Sequence, residues 1–123
     1  MNVTFVETRG FTESVSDFLS DLAYERVQQL LMENPGAGDV MPGCGGPRKL
    51  RTADSMRGKG KRGGARLIYL HVPEGRRFYL LDIYGKNEKD DLSADEKKQL
   101  RQLAEALKLE AVASQSRRIR EDR

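Results

Sequence analysis

Two long apolar runs separated by four residues constrain the fold of this chain more than any other feature. The runs read RLIYLHV at residues 66–72 and RFYLLDIY at residues 77–84, and Pro-Glu-Gly between them suits a tight hairpin. Both runs are nearly continuous in aliphatic and aromatic side chains, which is typical of strands that are covered on both faces. The sequence therefore predicts an antiparallel strand pair in the middle of a sheet.

Weaker patterns on the N-terminal side predict the elements that surround this pair. Residues 3–6 are β-prone and end before Gly10, which predicts a first strand. Apolar residues then recur at intervals of three and four along residues 11–31, so we expect one helix, or two helices joined near Ser20-Asp21. Residues 34–47 hold too many Pro and Gly residues for a regular element and predict a loop, and residues 48–53 predict another strand.

The C-terminal third predicts one helix and a tail. Ser93 and Glu96 have the spacing of a capping box, so a helix is expected to begin at Ser93. Its apolar stripe, which we expect to be buried on the sheet or under a partner, consists of Leu100, Leu103, Ala104 and Leu107. Beyond Val112 the chain is polar and charged, which predicts a flexible or partner-ordered basic tail at residues 113–123.

These elements predict one α+β domain at residues 1–112, with an antiparallel-rich sheet of about four strands, N-terminal helices and a C-terminal helix. A chain of 123 residues has no room for a second core. The single cysteine, Cys44, cannot form an intrachain disulfide and has no neighbouring metal ligand, so we expect a passive loop thiol, no metal and no cofactor. Neither a signal peptide nor a membrane span is visible, and a cytoplasmic location is expected.

The stretch MRGKGKRGGAR at residues 56–66 places five cationic side chains among four glycines between two predicted strands. Residues 48–66 contain eight Lys or Arg residues and a single acid, Asp54. Lys49 and Arg51 are two residues apart on a strand and therefore point to the same face. A solvated hairpin loop, an incidental basic patch and an RNA-phosphate site are all compatible with this stretch. It is not a Walker A loop, because a strand follows it and no GKS or GKT does.

Cationic clusters of this kind can accelerate RNA cleavage without a metal, because RNA supplies its own nucleophile in the 2′-OH. The only histidine, His71, excludes a two-histidine acid/base pair and is expected to pack in the sheet. Tyr84 ends the last apolar run, where its ring could stack on a base. Asp82 is either a base or a partnered structural acid.

The segment from GGPRKLR through KGKRGGARLIYLHVPEGRRFYLLDIYGKNE to KKQL resembles the HigB-type branch of the RelE superfamily, the toxins of type II toxin–antitoxin pairs. FVETRGF and the helical region after it extend the resemblance to about residues 3–107. The resemblance implies the small RelE-like fold and a ribosome-dependent mRNA endoribonuclease that uses 2′-OH attack. It also implies a cognate antitoxin, usually with a helix-turn-helix domain. The toxin would contact operator DNA only indirectly, through this antitoxin.

Carried over residue by residue, the resemblance implies two sets of site residues. The catalytic candidates are Arg66, Lys61, Lys59 and Lys86, and the RNA-binding candidates are Lys49, Arg51, Arg62, Tyr84 and Asn87. RelE itself has a tyrosine early in its last helix, whereas this chain reads Asp-Asp-Leu-Ser-Ala-Asp-Glu there. The general base is therefore unassigned, and Tyr84 or a lysine are the alternatives. A non-catalytic RNA- or ribosome-binding module and an inactive toxin homologue remain alternative interpretations.

Overall fold

The structure is a computed structural model that describes residues 2–62, 64–86, 88 and 91–121. Within these residues five strands form one sheet: β1 (Thr4–Glu7), β2 (Asp39–Val40), β3 (Arg48–Thr52), β4 (Ala65–Val72) and β5 (Arg77–Gly85). The strand order is β1-β5-β4-β3-β2, and every neighbouring pair is antiparallel except β1 with β5. The α+β class with an antiparallel-rich sheet is confirmed.

The strand beyond the predicted four is β2, which lies in the segment predicted to be a loop. Its two residues, Asp39 and Val40, pair with Lys49 and Arg48 of β3. The prediction of a loop throughout residues 34–47 is therefore wrong at this point. The unpaired backbone groups of a strand edge can pair with a passing segment of two residues, which needs no strand pattern of its own.

The central position of β4 and β5 is confirmed, and the two faces of this strand pair are covered by different helices. One face packs on α1 (Arg9–Ser14) and α2 (Asp21–Glu33). The opposite face packs on α3 (Ala94–Glu121). The largest fully buried side chains, which come from both faces, include Phe11, Leu31, Tyr69, Phe78 and Tyr79. Because both faces are buried, alternation of apolar and polar residues is absent from these strands.

Of the two N-terminal arrangements that the sequence allows, the structure has two capped helices, and the second begins at Asp21 as the sequence indicated. The Thr8 hydroxyl accepts a hydrogen bond from the Phe11 amide at the start of α1, and the Ser20 hydroxyl accepts one from the Ala23 amide at the start of α2. A short 3₁₀ turn, Val15–Asp17, separates the helices. Each Ser or Thr cap satisfies an amide that a helix start leaves without a partner.

The capping box at the start of α3 is confirmed. The Glu96 amide donates to the Ser93 hydroxyl over 3.1 Å, and the Ser93 amide donates to the Glu96 carboxylate over 2.9 Å. The helix then continues to Glu121, whereas the sequence predicts a flexible or partner-ordered tail after Val112. Ala111 and Ser114 are buried, so packing extends the helix into a segment that composition alone describes as polar.

The buried stripe of α3 differs from the predicted one at one position. Of the predicted residues, Leu100 and Ala104 are buried and Leu107 is partly buried, whereas Leu103 is 39% exposed; Ala111 is buried in addition. Small side chains bring the helix axis close to the β4–β5 turn, where a Cβ on Gly75 would lie 2.6 Å from the Ala111 Cβ. Leu103 precedes the buried Ala104, so its side chain is turned by about 100° around the helix axis and points away from the buried contact. No described helix is long and apolar enough to cross a lipid bilayer.

Candidate functional site

Cationic side chains from β3, β4, the basic loop and the end of β5 line one open cleft of about 370 Å³. The lining residues are Lys49, Arg51, Arg62, Arg66 and Lys86. Arg51 lies opposite Arg66 in the register, and Arg66 lies opposite Tyr84. Residues that are paired across strands share a face, so this row lies on the α3 side of the sheet. The structure thus brings together side chains that are up to 37 residues apart in the sequence.

Arg66 is the best positioned cation of the cleft. Its side chain is buried, with 6% of the residue exposed. Nη1 donates to the carbonyls of Lys61 and Ala65 over 3.2 and 3.3 Å, and Nη2 donates to the carbonyl of Arg62 over 3.3 Å. No hydrogen bond within the described part of the chain uses its Nε. The guanidinium therefore braces the basic loop and is held in place by it.

The only acidic residue of the basic loop, residues 53–64, holds the loop together through hydrogen bonds. Asp54 is 1% exposed, and its carboxylate accepts a hydrogen bond from the Arg57 amide over 3.0 Å. The backbones of Asp54 and Lys59 exchange hydrogen bonds of 2.7 and 3.1 Å. The guanidinium of Arg57 lies 4.4 Å from the centre of the Phe18 ring, which ties the loop to the face of the sheet that packs on α1 and α2.

The glycines of the loop serve its own folding. Gly58 has a positive φ of 68°, which favours glycine. A Cβ on Gly64 would lie 2.2 Å from the carbonyl oxygen of Thr52, so only glycine fits beside the end of β3. The Gly64 carbonyl also accepts the Lys86 amide over 3.1 Å, which places Lys86 at the cleft. Gly64 therefore allows two segments of the chain to approach each other closely.

Lys59 and Lys61 lie apart from the five cleft cations. Lys59 is half-buried at the backbone pairing with Asp54. Lys61 is exposed and lines a different depression, between α2 and β3. Asn87 lies outside the described residues. The structure thus places five of the predicted cations together in one cleft and these two lysines beside it.

Tyr84 lies opposite the cleft residue Arg66 in the strand register and is too buried to stack on a base. Only 2% of the residue is exposed, so the expectation of an available ring is wrong for this conformation. Burial raises the pKa of Tyr84 to about 12, and the negative charges of Asp91 and Asp82 add to this effect while Arg66 opposes it. A tyrosinate base is therefore strongly disfavoured near neutral pH.

Asp91 is a member of the site that the sequence did not indicate. Its carboxylate lies 3.9 Å from the Lys49 ammonium and 3.0 Å from the Lys97 ammonium. Hydrogen bonds from Lys97 and from the Leu92 amide lower the pKa of Asp91. The residue is one of several acids before α3, and nothing in its spacing marks it as the partner of a lysine on β3. Any anion that binds Lys49 competes with this carboxylate.

The other chemically distinctive residues have structural environments. His71 stacks on Phe78 with ring centres 4.4 Å apart, and burial lowers its pKa, which confirms the expected packed histidine. Asp82 accepts a hydrogen bond from the Ile83 amide over 2.9 Å. Cys44 is fully buried in the core under α3, as a passive thiol would be. Among the described residues, no group of acidic, histidine or cysteine side chains is arranged to hold a metal ion.

The model of a known protein family matches residues 41–121, which is about two thirds of the chain. The family is described as the RelE toxin of the RelE / RelB toxin–antitoxin system. The matched part contains β3, the basic loop, β4, β5 and α3, and hence every lining residue of the cationic cleft. Toxins of this family pair with an antitoxin. The chain therefore belongs to the RelE toxin family.

Proposed function

We propose that this toxin is a metal-independent, ribosome-dependent mRNA endoribonuclease of the HigB-type branch. The observation that carries the proposal is the convergence of five cationic side chains in one cleft beside the β4–β5 pair. Support for the branch comes from the KGKRGG loop and the YGKNE segment, which resemble HigB-type toxins. The cytoplasm, where mRNA is translated, is the place of action that this function requires.

The cleft suits a phosphodiester chain in charge and in arrangement. Lys49, Arg51 and Lys86 line the same cleft as the braced guanidinium of Arg66. A preorganised guanidinium can stabilise charge that develops on the non-bridging oxygens while the 2′-OH attacks the phosphorus. The 2′-oxygen gives up its proton and bonds to phosphorus, the bond from phosphorus to the 5′-oxygen breaks, and the 5′-oxygen takes up a proton, which leaves a 2′,3′-cyclic phosphate. Positioning and electrostatics can supply most of the acceleration, because the nucleophile belongs to the substrate.

The proton transfers are assigned to no single residue of the chain. The raised pKa of Tyr84 argues against it as the base, and His71 lies packed on Phe78. A cleft lysine remains a candidate for protonation of the leaving oxygen. Dependence on the ribosome fits a cleft of this kind, because an enzyme without a strong base gains most from a substrate that is held in a reactive geometry.

The proposed partners follow from the same function. The cognate antitoxin, expected to be of the helix-turn-helix type, neutralises the toxin, and operator DNA is reached only through the antitoxin. A short helix-turn-helix protein encoded in the adjacent reading frame would support this part of the proposal. An adjacent frame of another kind would argue against the HigB-type branch while leaving the family unchanged.

The test is single-turnover cleavage of mRNA on programmed ribosomes, with mRNA alone as the second arm. We expect cutting only with ribosomes, and products that end in a 2′,3′-cyclic phosphate or its hydrolysis product. The matched control is an mRNA with a single 2′-deoxynucleotide at the mapped cleavage site, which should remain intact. Cutting of the deoxy substrate at the same bond would refute attack by the 2′-OH.

Inhibition of translation without any cutting would instead support a non-catalytic RNA- or ribosome-binding module. Such a module would lose RNA affinity in small steps as cleft cations are removed. Removal of each cation that binds a phosphate would reduce the magnitude of the salt slope by roughly 0.7 for single-stranded RNA. An enzyme would lose rate steeply at one or two of the same positions.

A further inference from the structure

A pocket of about 210 Å³ lies between the sheet and the first turns of α3. Its buried lining is apolar and consists of Ile68, Leu81 and Leu100. Leu92, which is partly buried, and Leu103, which is 39% exposed, complete the apolar part of the wall. We call this cavity the α3 pocket. The exposed Leu103 is thus part of a pocket that is open to solvent.

A β-bulge in β5 places Asp82 at the α3 pocket. Asp82 lies opposite Ile68, whereas Leu80 lies opposite Tyr69, so Leu81 is an extra residue on this strand. A bulge of this kind interrupts the alternation of side chains and redirects the residues that follow it. Leu81 and Asp82 are neighbours in the chain, and both line the pocket. Regular alternation would instead have turned Asp82 toward the opposite face of the sheet.

The polar groups of the α3 pocket are mainly hydrogen-bond acceptors. Asp82 and Glu96 are partly buried, and the exposed Gln99 lies beside them in the lining. The Asp82 carboxylate accepts the Ile83 amide over 2.9 Å, and Glu96 accepts the Ser93 amide in the capping box, so both carboxylates are held in place. None of the lining residues that the structure describes is cationic. The pocket is therefore opposite in charge to the cationic cleft.

The α3 pocket and the cationic cleft occupy neighbouring rows of the same sheet face. Arg51 lies opposite Arg66, and Lys49 lies opposite Ile68. Residues two apart on a strand are separated by roughly 7 Å, so Ile68 of the pocket lies one row beyond Arg66 of the cleft. One sugar joins the base of a nucleotide to its phosphate, which is a separation of the same order. A phosphate held in the cleft thus leaves its base within reach of the pocket.

We infer that the α3 pocket binds the base of an mRNA nucleotide whose phosphate lies in the cationic cleft, and that Asp82 selects bases with an exocyclic amino group. An ionised carboxylate only accepts hydrogen bonds, and the amino group of cytosine is a donor that Asp and Glu recognise. Uracil has a carbonyl oxygen at the position of that amino group, so it places an acceptor against an acceptor. The apolar lining, which includes Ile68 and Leu81, would cover the face of the ring.

The inference rests on the proposed function for the identity of the RNA, and it adds a base preference at the same site. Cytosine and uracil provide a matched comparison, because they have the same size and differ in this amino group and carbonyl. The pocket would act on specificity, while Arg66 and the other cleft cations act on the phosphate. Removal of the Asp82 carboxylate should therefore change which base is preferred near the cut.

Cleavage on programmed ribosomes tests the selection by Asp82. The substrates are pairs of mRNAs that differ by one C or U at each position flanking the mapped cut. At one of these positions the wild type should cut the C substrate at least about 10-fold faster than the U substrate. Asp82→Asn should reduce this ratio to within about 2-fold, because an amide offers a donor as well as an acceptor. The side-chain oxygen of asparagine can still accept the Ile83 amide, and thermal unfolding checks the fold.

Asp95→Asn is the matched control. It makes the same change at an exposed position in the first turn of α3, outside the pocket, and should keep the wild-type ratio of C to U cleavage. Equal cutting of C and U substrates by the wild type at every flanking position would overturn the inference. An unchanged ratio in a folded Asp82→Asn variant would also overturn it, since another group would then select the base.

Methyl NMR on the wild type tests the pocket without a variant and without catalysis. The probes are trinucleotides with one base, cytosine or uracil, on a 2′-deoxyribose between two abasic sugars, so they cannot be cut by 2′-OH attack. The cytosine probe should shift the methyl signals of Ile68 and Leu103 at a concentration at least about 10-fold lower than the uracil probe. Leu109, which is 76% exposed on the same helix outside the pocket, should not respond.

The remaining outcomes separate the pocket from the proposed function. Shifts of the Arg66 signals without shifts of the Ile68 and Leu103 methyls would place the base elsewhere and overturn the inference. Base-dependent methyl shifts in a toxin that cuts no RNA would retain the base pocket and refute the ribonuclease function. A lack of response to either probe, together with a lack of cutting, would overturn both.

Discussion

Replacement of Arg66 with alanine removes one cation and three hydrogen bonds from the cleft. The guanidinium is buried, with 6% of the residue exposed, so its charge acts in an environment that water screens poorly. Loss of one preorganised transition-state donor typically lowers kcat by about 100- to 1,000-fold, which is about 2.7–4 kcal/mol. We therefore expect Arg66→Ala to slow single-turnover cleavage on ribosomes by on the order of 100-fold or more.

The same change should leave the protein folded. The three hydrogen bonds join a charged donor to carbonyls, and two of these carbonyls belong to exposed residues of the basic loop, Lys61 and Arg62. Water can replace the guanidinium at these two carbonyls, so we expect a loss of about 1–3 kcal/mol in the free energy of unfolding. Small domains have a total of about 5–15 kcal/mol, so most molecules remain native.

The assay compares cleavage, ribosome binding and thermal unfolding of each variant. Lys59→Ala removes the same charge from the basic loop at a position outside the cleft, so it should lose less activity than Arg66→Ala. Arg101→Ala removes an exposed cation that forms a pair with Glu105 on α3, and it should cut at the wild-type rate. Ribosome binding by Arg66→Ala should fall far less than its rate of cleavage.

Three results would contradict this reasoning. Wild-type cleavage by a folded Arg66→Ala variant would remove Arg66 from the mechanism and leave it as a brace of the loop. The same conclusion would follow if the variant lost activity only because part of it unfolds, while the molecules that stay folded cleave at the wild-type rate. An equal loss in Lys59→Ala would show that total charge matters and that the geometry of the cleft does not.

Three further predictions concern the cleft and the packing of the last helix. Asp91→Asn should strengthen RNA binding about 2- to 5-fold at low salt, because the carboxylate no longer competes for Lys49, and a salt titration should show a steeper slope. Tyr84→Phe should lower cleavage less than about 10-fold between pH 6 and 9, because a pKa of about 12 keeps the hydroxyl protonated. The Tyr84 hydroxyl loses its proton near pH 10 in the unfolded chain and near pH 12 in the native protein, so the free energy of unfolding of the wild type should fall across that window. Urea titrations should show a smaller fall for Tyr84→Phe. Gly75→Ala should destabilise the protein by about 1–3 kcal/mol, since its Cβ would lie 2.6 Å from atoms of the last helix. Gly60→Ala is the control, because a Cβ there meets no described atom within 4 Å; in the same thermal unfolding series its stability should stay within about 0.5 kcal/mol of the wild type.

Local physical signals in the sequence were sufficient for most of the elements. The capping box at Ser93 and Glu96, the helix break near Ser20 and the doubly buried β4–β5 pair depend on residues that are close in the chain. Caps, turns and continuous apolar runs act over a few residues, so their composition indicates them directly. The positive charge of residues 48–66 was visible for the same reason.

Tertiary structure alone decided how these residues are used. The register of β3, β4 and β5 selected Arg51, Arg66 and Lys86 for the cleft and left Lys59 outside it. Packing buried Tyr84, brought Asp91 to Lys49 and exposed Leu103. The five cleft cations come from two strands, the basic loop and the segment after β5, and such proximity depends on register and packing between distant segments, which no local pattern of residues encodes.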